Sequence, residues 1–329
     1  MRRPRTIADL GERGLLRSIR KYLDRPSREL VVGAPDDDAA VWRGDPFVVA
    51  TTDTMVEGID FRRAWPGFDF RRLGRRLISI NLSDLAAMGA KPRHALISLA
   101  LPRSTPARDV ERLYRGISEQ AHRFGTTIAG GDLSATRGPL MATATLIGRI
   151  TSPQRILRRT GARPGWQIAV TGSLGAAAAG LRLLESGRLP TTRAQRAWVT
   201  AQLDPTPQLA AGQALAATLT VGGDISDGLY REVERLTQPA RLGATIAIDR
   251  LPLADGLRKT QWALAVKDSE DFELICAGPV ARMASAERAL DRLGVPLTVV
   301  GTIEARPGIR LRDGARSVHL EGAGYEHFR

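Results

Sequence analysis

Apolar and polar positions along this chain change period repeatedly, and each change marks an element. Residues 6–25 repeat at helical spacing, with Ile7, Leu10, Leu15, Leu16 and Ile19 on one face. "ELVVGAP" (29–35) reads as a short strand entering an aspartate triplet, Asp36–Asp38. "DPFVVATTD" (45–53) is a β-branched strand ending in Thr51, Thr52 and Asp53. Over 68–91 the period returns to that of a helix: Phe70, Leu73, Leu77, Leu85 and Met88 recur on one face, Gly89 suits the position past the helix end, and Pro92 marks the stop. "RHALISLALP" (93–102) is a strand. Residues 105–125 form an amphipathic helix opened by Thr105 or Pro106 and closed by Gly125. "TTIAGGDLS" (126–134) and "LMATATLIGRI" (140–150) complete the first half as strands.

The stretch "TSPQRILRRTGARPG" (151–165) is basic and rich in turn residues, which divides the chain into domains over 1–150 and 151–329. Strand patterns recur in the second half at 166–172, 243–253, 271–278 and 296–305, and helical ones at 173–187, 206–219 and 279–294. "GGDISDGLYREVERLTQ" (222–238) reads as a strand end turning into a helix. Strands alternate with helices throughout, so each half is expected to be a mixed α/β domain.

Length and composition agree with a two-domain globular protein. The 329 residues exceed what one core usually supports. No apolar run approaches the roughly 18–20 residues that span a bilayer, so no membrane partner is expected. The opening "MRRPRTIADL" lacks the apolar segment of a secretory signal, which makes the cytoplasm the expected compartment. Cys276 is the only cysteine, so neither an internal disulfide nor a cysteine-cluster metal site can form, and its apolar strand reads as core. The net charge of +13 invites a nucleic-acid reading. Against it, only Lys21, Lys91, Lys259 and Lys267 are lysines, the arginines spread evenly, and no RNA-binding motif accompanies them. No nucleic-acid partner is expected, and anionic small substrates suit the charge equally well.

The placement of the acids carries the chemical information. Asp36–Asp38 follow a strand, Asp53 ends one, Asp132 follows Gly130-Gly131, Asp224 and Asp227 bracket Ser226, and Glu270-Asp271 lead into "FELICAG". Asp84 sits inside an apolar helical stretch beside Ser83, where a bare charge is unfavourable without a partner or a cation. Any one aspartate at a strand end reads first as a turn or helix cap, and Asp227-Gly228 especially so. Taken together, hard oxygen donors without neighbouring His or Cys point to Mg²⁺, and nearby glycines let backbone N–H groups approach phosphates. No Walker loop, dinucleotide fingerprint or protein-kinase motif set is present.

Eight segments then resemble the thiamine-monophosphate kinase family of the AIR-synthase-like superfamily. They are "DDAAV" (37–41), "TTDTMVEGIDF" (51–61), "INLSDLAAMGAKP" (80–92), "AGGDLS" (129–134), "RTGARPG" (159–165), "DISDGL" (224–229), "EDFEL" (270–274) and "GYEHF" (324–328), in order over nearly the whole chain. The resemblance implies a two-domain AIR-synthase-like fold, α/β (α+β), whose N-terminal sheet pairs across a homodimer while an α/β domain follows. It implies ATP-dependent phosphorylation of thiamine monophosphate to the diphosphate, with several Mg²⁺ ions. Carried over by position, Asp38, Thr51, Thr52, Asp53, Asp84, Asp132, Asp224 and Asp227 resemble Mg²⁺ ligands. Gly131, Asp132, Arg159 and Ser226 resemble ATP contacts, and the resemblance implies Asp132, Arg159 and Asp227 as the catalytic residues. Asp60, Glu270 and Tyr325 match acceptor positions.

Three positions depart from the family pattern. Asp36 replaces a glycine, Asp60 a histidine that contacts the acceptor, and Asp268-Ser269 two glycines. The altered positions lie on the acceptor side. Another superfamily enzyme with a different acceptor is the competing reading, and a basic RNA-binding protein is the non-enzymatic one. The cysteines expected of a selenophosphate synthetase near its start, or of a hydrogenase-maturation dehydratase at its end, are missing here.

Overall fold

The structure is a computed structural model that describes residues 47–267 and 269–320, and before them residues 6, 9, 10, 15, 18–22, 30–32 and 41–42. The triplet Asp36–Asp38 and Tyr325 lie outside the described residues. So does Asp268, and of the helix expected over 6–25 only residues 9, 10, 15, 18 and 19 are described as α-helical. The chain divides into two compact units, one of residues 1–82 and 92–149 and the other of residues 83–91 and 150–329. Among the described residues no helix is long and apolar enough to cross a membrane.

Two short strands, β1 (Leu30–Val32) and β2 (Val41–Trp42), pair antiparallel. The N-terminal unit is then built on a four-stranded sheet of β3 (Phe47–Val56), β4 (Lys91–Pro102), β5 (Thr127–Thr136) and β6 (Met141–Ile150), in the order β3-β6-β4-β5. Burial alternates along its strands, as expected where one face is closed and the other open. Ile97, Leu99, Leu101, Ala142, Ala144 and Leu146 are buried, whereas Thr52, Thr54 and Ser98 are exposed. Helices α1 (Phe70–Ala87) and α2 (Ala107–Arg123) belong to the closed side, and α2 is the crossover that the parallel pair β4–β5 requires. They cross at two glycines. A Cβ on Gly74 would lie 2.1 Å from the Leu113 carbonyl oxygen, and one on Gly116 1.9 Å from that of Arg71.

Helix α1 ends as its sequence predicts. Gly89 takes φ 72°, its N–H donates to the Ala86 carbonyl at 2.9 Å, and Ala90 N–H donates to the Leu85 carbonyl at 2.8 Å. That pair of bonds is a Schellman motif, which a glycine past the helix end makes possible. The helix end is thereby fixed just beyond Ser83 and Asp84.

The C-terminal unit holds a seven-stranded sheet in the order β13-β12-β9-β11-β7-β10-β8. Its strands are β7 (Gln167–Thr171), β8 (Val221–Asp224), β9 (Gly243–Ala247), β10 (Leu274–Gly278), β11 (Leu297–Glu304), β12 (Gly308–Asp313) and β13 (Arg316–Val318). Only β12 and β9 pair in parallel among these neighbours. The helices are α3 (Ala176–Glu185), α4 (Arg193–Leu203), α5 (Leu209–Ala216), α6 (Leu229–Thr237), α7 (Ala263–Val266) and α8 (Val280–Asp291). Ile168, Val170, Ile246, Ile275 and Val300 of the sheet pack with Leu229, Val233 and Leu236 of α6 in one buried cluster. Cys276 lies fully buried on β10, with its thiol pushed up to about 12 by burial.

Candidate functional site

The carboxylates of the C-terminal unit gather where β8 gives way to α6. Asp224 ends β8 and is 1% exposed. Its Oδ2 accepts a 2.9 Å hydrogen bond from Ser83 Oγ, and its buried Oδ1 has no hydrogen-bond partner. Burial pushes the Asp224 carboxyl up to about 6, and the charge of Asp84 adds to the shift while Ser83 and Arg159 oppose it. Arg159 is delivered by an extended segment beside β8, since Arg158 N–H donates to the Thr220 carbonyl and Gly222 N–H to the Arg158 carbonyl, each at 3.0 Å. Its Nη2 stands 3.6 Å from Asp224 Oδ1, and its side chain is 45% exposed.

Asp227 is not the helix cap its Asp-Gly setting suggests. Gly228 is the N-cap of α6 and no side chain caps it. The Asp227 carboxylate instead accepts from Arg235 Nη2 at 2.6 Å, eight residues further on. Between these groups lies Glu232, an acid that the sequence reading does not single out. It is 1% exposed, is ion-paired with Arg235, and has Arg159 Nη2 at 3.5 Å from its Oε2. Burial pushes its carboxyl up to about 7 despite both arginines. The signal was present in the pattern. Leu229, Glu232, Val233 and Leu236 fall at i, i+3, i+4 and i+7, and all four are buried, so an acid occupies the apolar stripe of α6.

Residues 269–273 form a second acidic group in this unit. Asp271 accepts from the N–H groups of Gly175 at 2.6 Å and Ala177 at 3.1 Å, and Ser269 Oγ accepts from Ala178 N–H at 3.3 Å, so the loop caps α3. Phe272 takes the left-handed conformation, φ 52°, which is strained for a bulky residue. That turn sends Asp271 toward α3 and Glu273 toward β7. Glu273 accepts from Thr171 Oγ1 at 2.5 Å and Gln208 Nε2 at 3.1 Å, and burial pushes its carboxyl up to about 7. Glu270 accepts from Gln202 Nε2 at 3.1 Å.

In the N-terminal unit the strands dictate where the expected ligands point. The ladder between β4 and β5 skips Ala129, so Gly131 sits opposite Ile97 and Asp132 opposite Ser98. This bulge turns Asp132 onto the open face. Gly131 has no room for a side chain, because a Cβ would lie 1.7 Å from the Ile97 carbonyl oxygen. Asp132 is exposed and accepts from Ser134 Oγ at 2.8 Å. Thr52 also belongs to the open face, where it accepts from Thr145 Oγ1 at 3.0 Å. Strand alternation sends Thr51 and Asp53 to the opposite side with buried Met55. Strands β3 and β5 are the two edges of the sheet, so Asp53 and Asp132 of one chain are separated by three interstrand spacings, about 14 Å measured across the strands. Asp60 folds back on its own turn, its Oδ2 accepting from Val56 N–H at 2.6 Å.

Among the described residues, no three His, Cys, Asp or Glu side chains stand close enough to hold a metal ion by themselves. The donor set around Asp224 nonetheless suits Mg²⁺. A buried carboxylate oxygen lacks a hydrogen bond, a second carboxylate is close, and Mg²⁺ characteristically takes one or two carboxylates and completes its shell with water and phosphate oxygens.

Comparison with known proteins identifies the architecture. The family described as "AIR synthase related protein, N-terminal domain" matches residues 36–150, and "AIR synthase related protein, C-terminal domain" matches residues 163–314. The thiamine-monophosphate kinase of Rhodopirellula baltica is 34% identical over 307 residues, covering 88% of this chain and 89% of that protein. The crystal structure of the thiamine-monophosphate kinase from Stenotrophomonas maltophilia superposes with a TM-score of 0.81 at 29% identity, covering 93% of this chain and 98% of that one. AaThiL complexed with AMPPCP and TMP superposes with a TM-score of 0.75 at 28% identity, covering 100% and 99% of the two chains. By its two AIR-synthase-related domains and by identity running along most of its length, the chain belongs to the thiamine-monophosphate kinase family.

Proposed function

We propose that the chain transfers the terminal phosphoryl group of ATP to thiamine monophosphate, yielding thiamine diphosphate and ADP. The observation that best supports this reading is the setting of Asp224, a buried carboxylate oxygen without a hydrogen bond, beside Asp84 and under the guanidinium of Arg159. A charge buried this way is stabilised once a cation arrives. Mg²⁺ held at Asp84, Asp224 and Asp227, and in the N-terminal unit at Asp38, Thr51, Thr52, Asp53 and Asp132, would supply the positive charge that lets two polyanions approach. Arg159 and Ser226 bind the ATP phosphates, and Gly131 presents backbone close to them. Glu270 and Tyr325 hold the thiamine part. Asp60 acts through the turn it closes, since its carboxylate is engaged with Val56 N–H.

The acceptor oxygen belongs to a phosphate already ionised at neutral pH, so no general base is needed. Catalysis rests on positioning and charge neutralisation. The bond from the terminal phosphorus to the bridging oxygen breaks as one to the acceptor oxygen forms.

The active form is read as a homodimer. Asp53 and Asp132 lie on opposite edges and opposite faces of one sheet, which favours a site that draws them from two copies, and the open face, which carries Asp132, also exposes Val48 (59%) beside Thr52 and Thr54.

The direct test is incubation of the purified chain with ATP, Mg²⁺ and thiamine monophosphate. Thiamine diphosphate should accumulate, and its absence over a range of Mg²⁺ concentrations would reject the acceptor assignment. Asp132→Asn should abolish turnover while leaving the melting temperature in place, because Asp132 is exposed and surface substitutions change stability by about 0.5 kcal/mol or less. Activity retained in that variant would reject its metal role.

A further inference from the structure

We infer that Glu232 is a positioning residue for nucleotide binding: its buried carboxylate holds Arg159 at the site when Asp224 turns to a metal ion. The inference rests on the kinase reading above and deepens it.

Among the described residues Arg159 has two anionic neighbours, both approached by the same nitrogen. Nη2 lies 3.6 Å from Asp224 Oδ1 and 3.5 Å from Glu232 Oε2. Both distances exceed a hydrogen bond, so the guanidinium is held by charge rather than locked, and nearly half of the side chain remains exposed. One neighbour, Asp224, is assigned to Mg²⁺. Once its charge is taken up by the ion, its pull on Arg159 falls, and the cation itself repels the guanidinium. Among the described acids Glu232 then remains to keep Arg159 beside the phosphates.

The other oxygen of Glu232 serves the same end. Oε1 is ion-paired with Arg235, whose Nη2 donates to Asp227 at 2.6 Å. A single buried carboxylate thus links the side chains that flank both Asp224 and Asp227. Burying an acid on the apolar stripe of α6 is costly for folding. An apolar residue would serve the core better, so the charge is explained by its use in the site. Glu232 touches neither reacting group, and its action is through Arg159.

The test compares Glu232→Gln with the parent and with Arg159→Ala, alone and combined. Glutamine keeps the shape and removes the charge. KM for ATP should rise about tenfold in Glu232→Gln, the size of one charge-assisted contact, with kcat and the melting temperature near parental values. In the Arg159→Ala background the same substitution should change KM little, because the residue it acts through is gone. Titration with the non-hydrolysable analogue AMPPCP and Mg²⁺ should show the same loss of affinity without any acceptor. Equal nucleotide affinity in Glu232→Gln and parent would overturn the inference alone. Undiminished loss in the Arg159→Ala background would also overturn it. A parental chain that binds no Mg²⁺-nucleotide at all would overturn the kinase reading together with it.

Discussion

Glu273 shows what a single enclosed acid does to this protein. Its carboxyl is pushed up to about 7 by burial, above the ordinary value of 4.5, although Thr171 and Gln208 donate to it. The folded chain therefore holds this proton more tightly than the unfolded chain does. The stabilisation is fully present below about pH 4.5 and is lost as pH rises through 7, the reverse of a salt-bridged carboxylate. Without Mg²⁺, Glu273→Gln should remove that dependence. The parent should lose about 2–3 kcal/mol relative to the variant between pH 4 and 8, measured by urea unfolding. A parallel pH course for the two chains would show that Glu273 is solvated. At this scale the sequence was partly legible. Asp84 stood out as an acid within an apolar helix, and Glu232 obeyed the same rule in α6. The arginines that compensate Glu232 could not be foreseen, because Arg159 lies 73 positions away and contacts it only through the fold.

At the scale of elements, helices α1 and α2 approach each other through backbone, with Gly74 against Leu113 and Gly116 against Arg71. Gly116→Ala would place a methyl group 1.9 Å from a carbonyl oxygen, so the helices must separate. Overpacking of this kind should cost about 3 kcal/mol, visible as a lower urea midpoint with an unchanged slope. An unshifted midpoint would mean the crossing is loose. Most elements were readable from period and punctuation, as the Gly89 helix end illustrates. Three that the reading passed over had left signals. Helix α4 opens with a capping box, Thr192 with Gln195, ahead of a polar run that hid its helical period. Strands β12 and β13 join through the two-residue loop Gly314-Ala315, whose first position takes the positive φ that glycine favours in a tight hairpin. The skipped residue at Ala129 had no such signal, because only the ladder reveals which face Asp132 takes.

For the whole molecule, the strand order of the N-terminal sheet makes a two-chain site testable by mixing. Asp53→Asn and Asp132→Asn should each be inactive. In a dimer that builds every site from both chains, subunit exchange gives mixed dimers in which one site keeps both aspartates. Refolding the two variants together should restore about one quarter of parental activity, from half the dimers with one of two sites intact. No recovery would place both aspartates in a site served by a single chain. The pairing of β4 with β5 also has a bearing on how this protein can change over time. Gly131 can carry no side chain, and Asp132 keeps its open face only while one residue of the segment stays out of the ladder. Were Ala129 drawn into the ladder, each later residue would slip by one and Asp132 would fall opposite Leu99, in the oily interior, so here the number of paired residues, more than their composition, is what heredity must preserve.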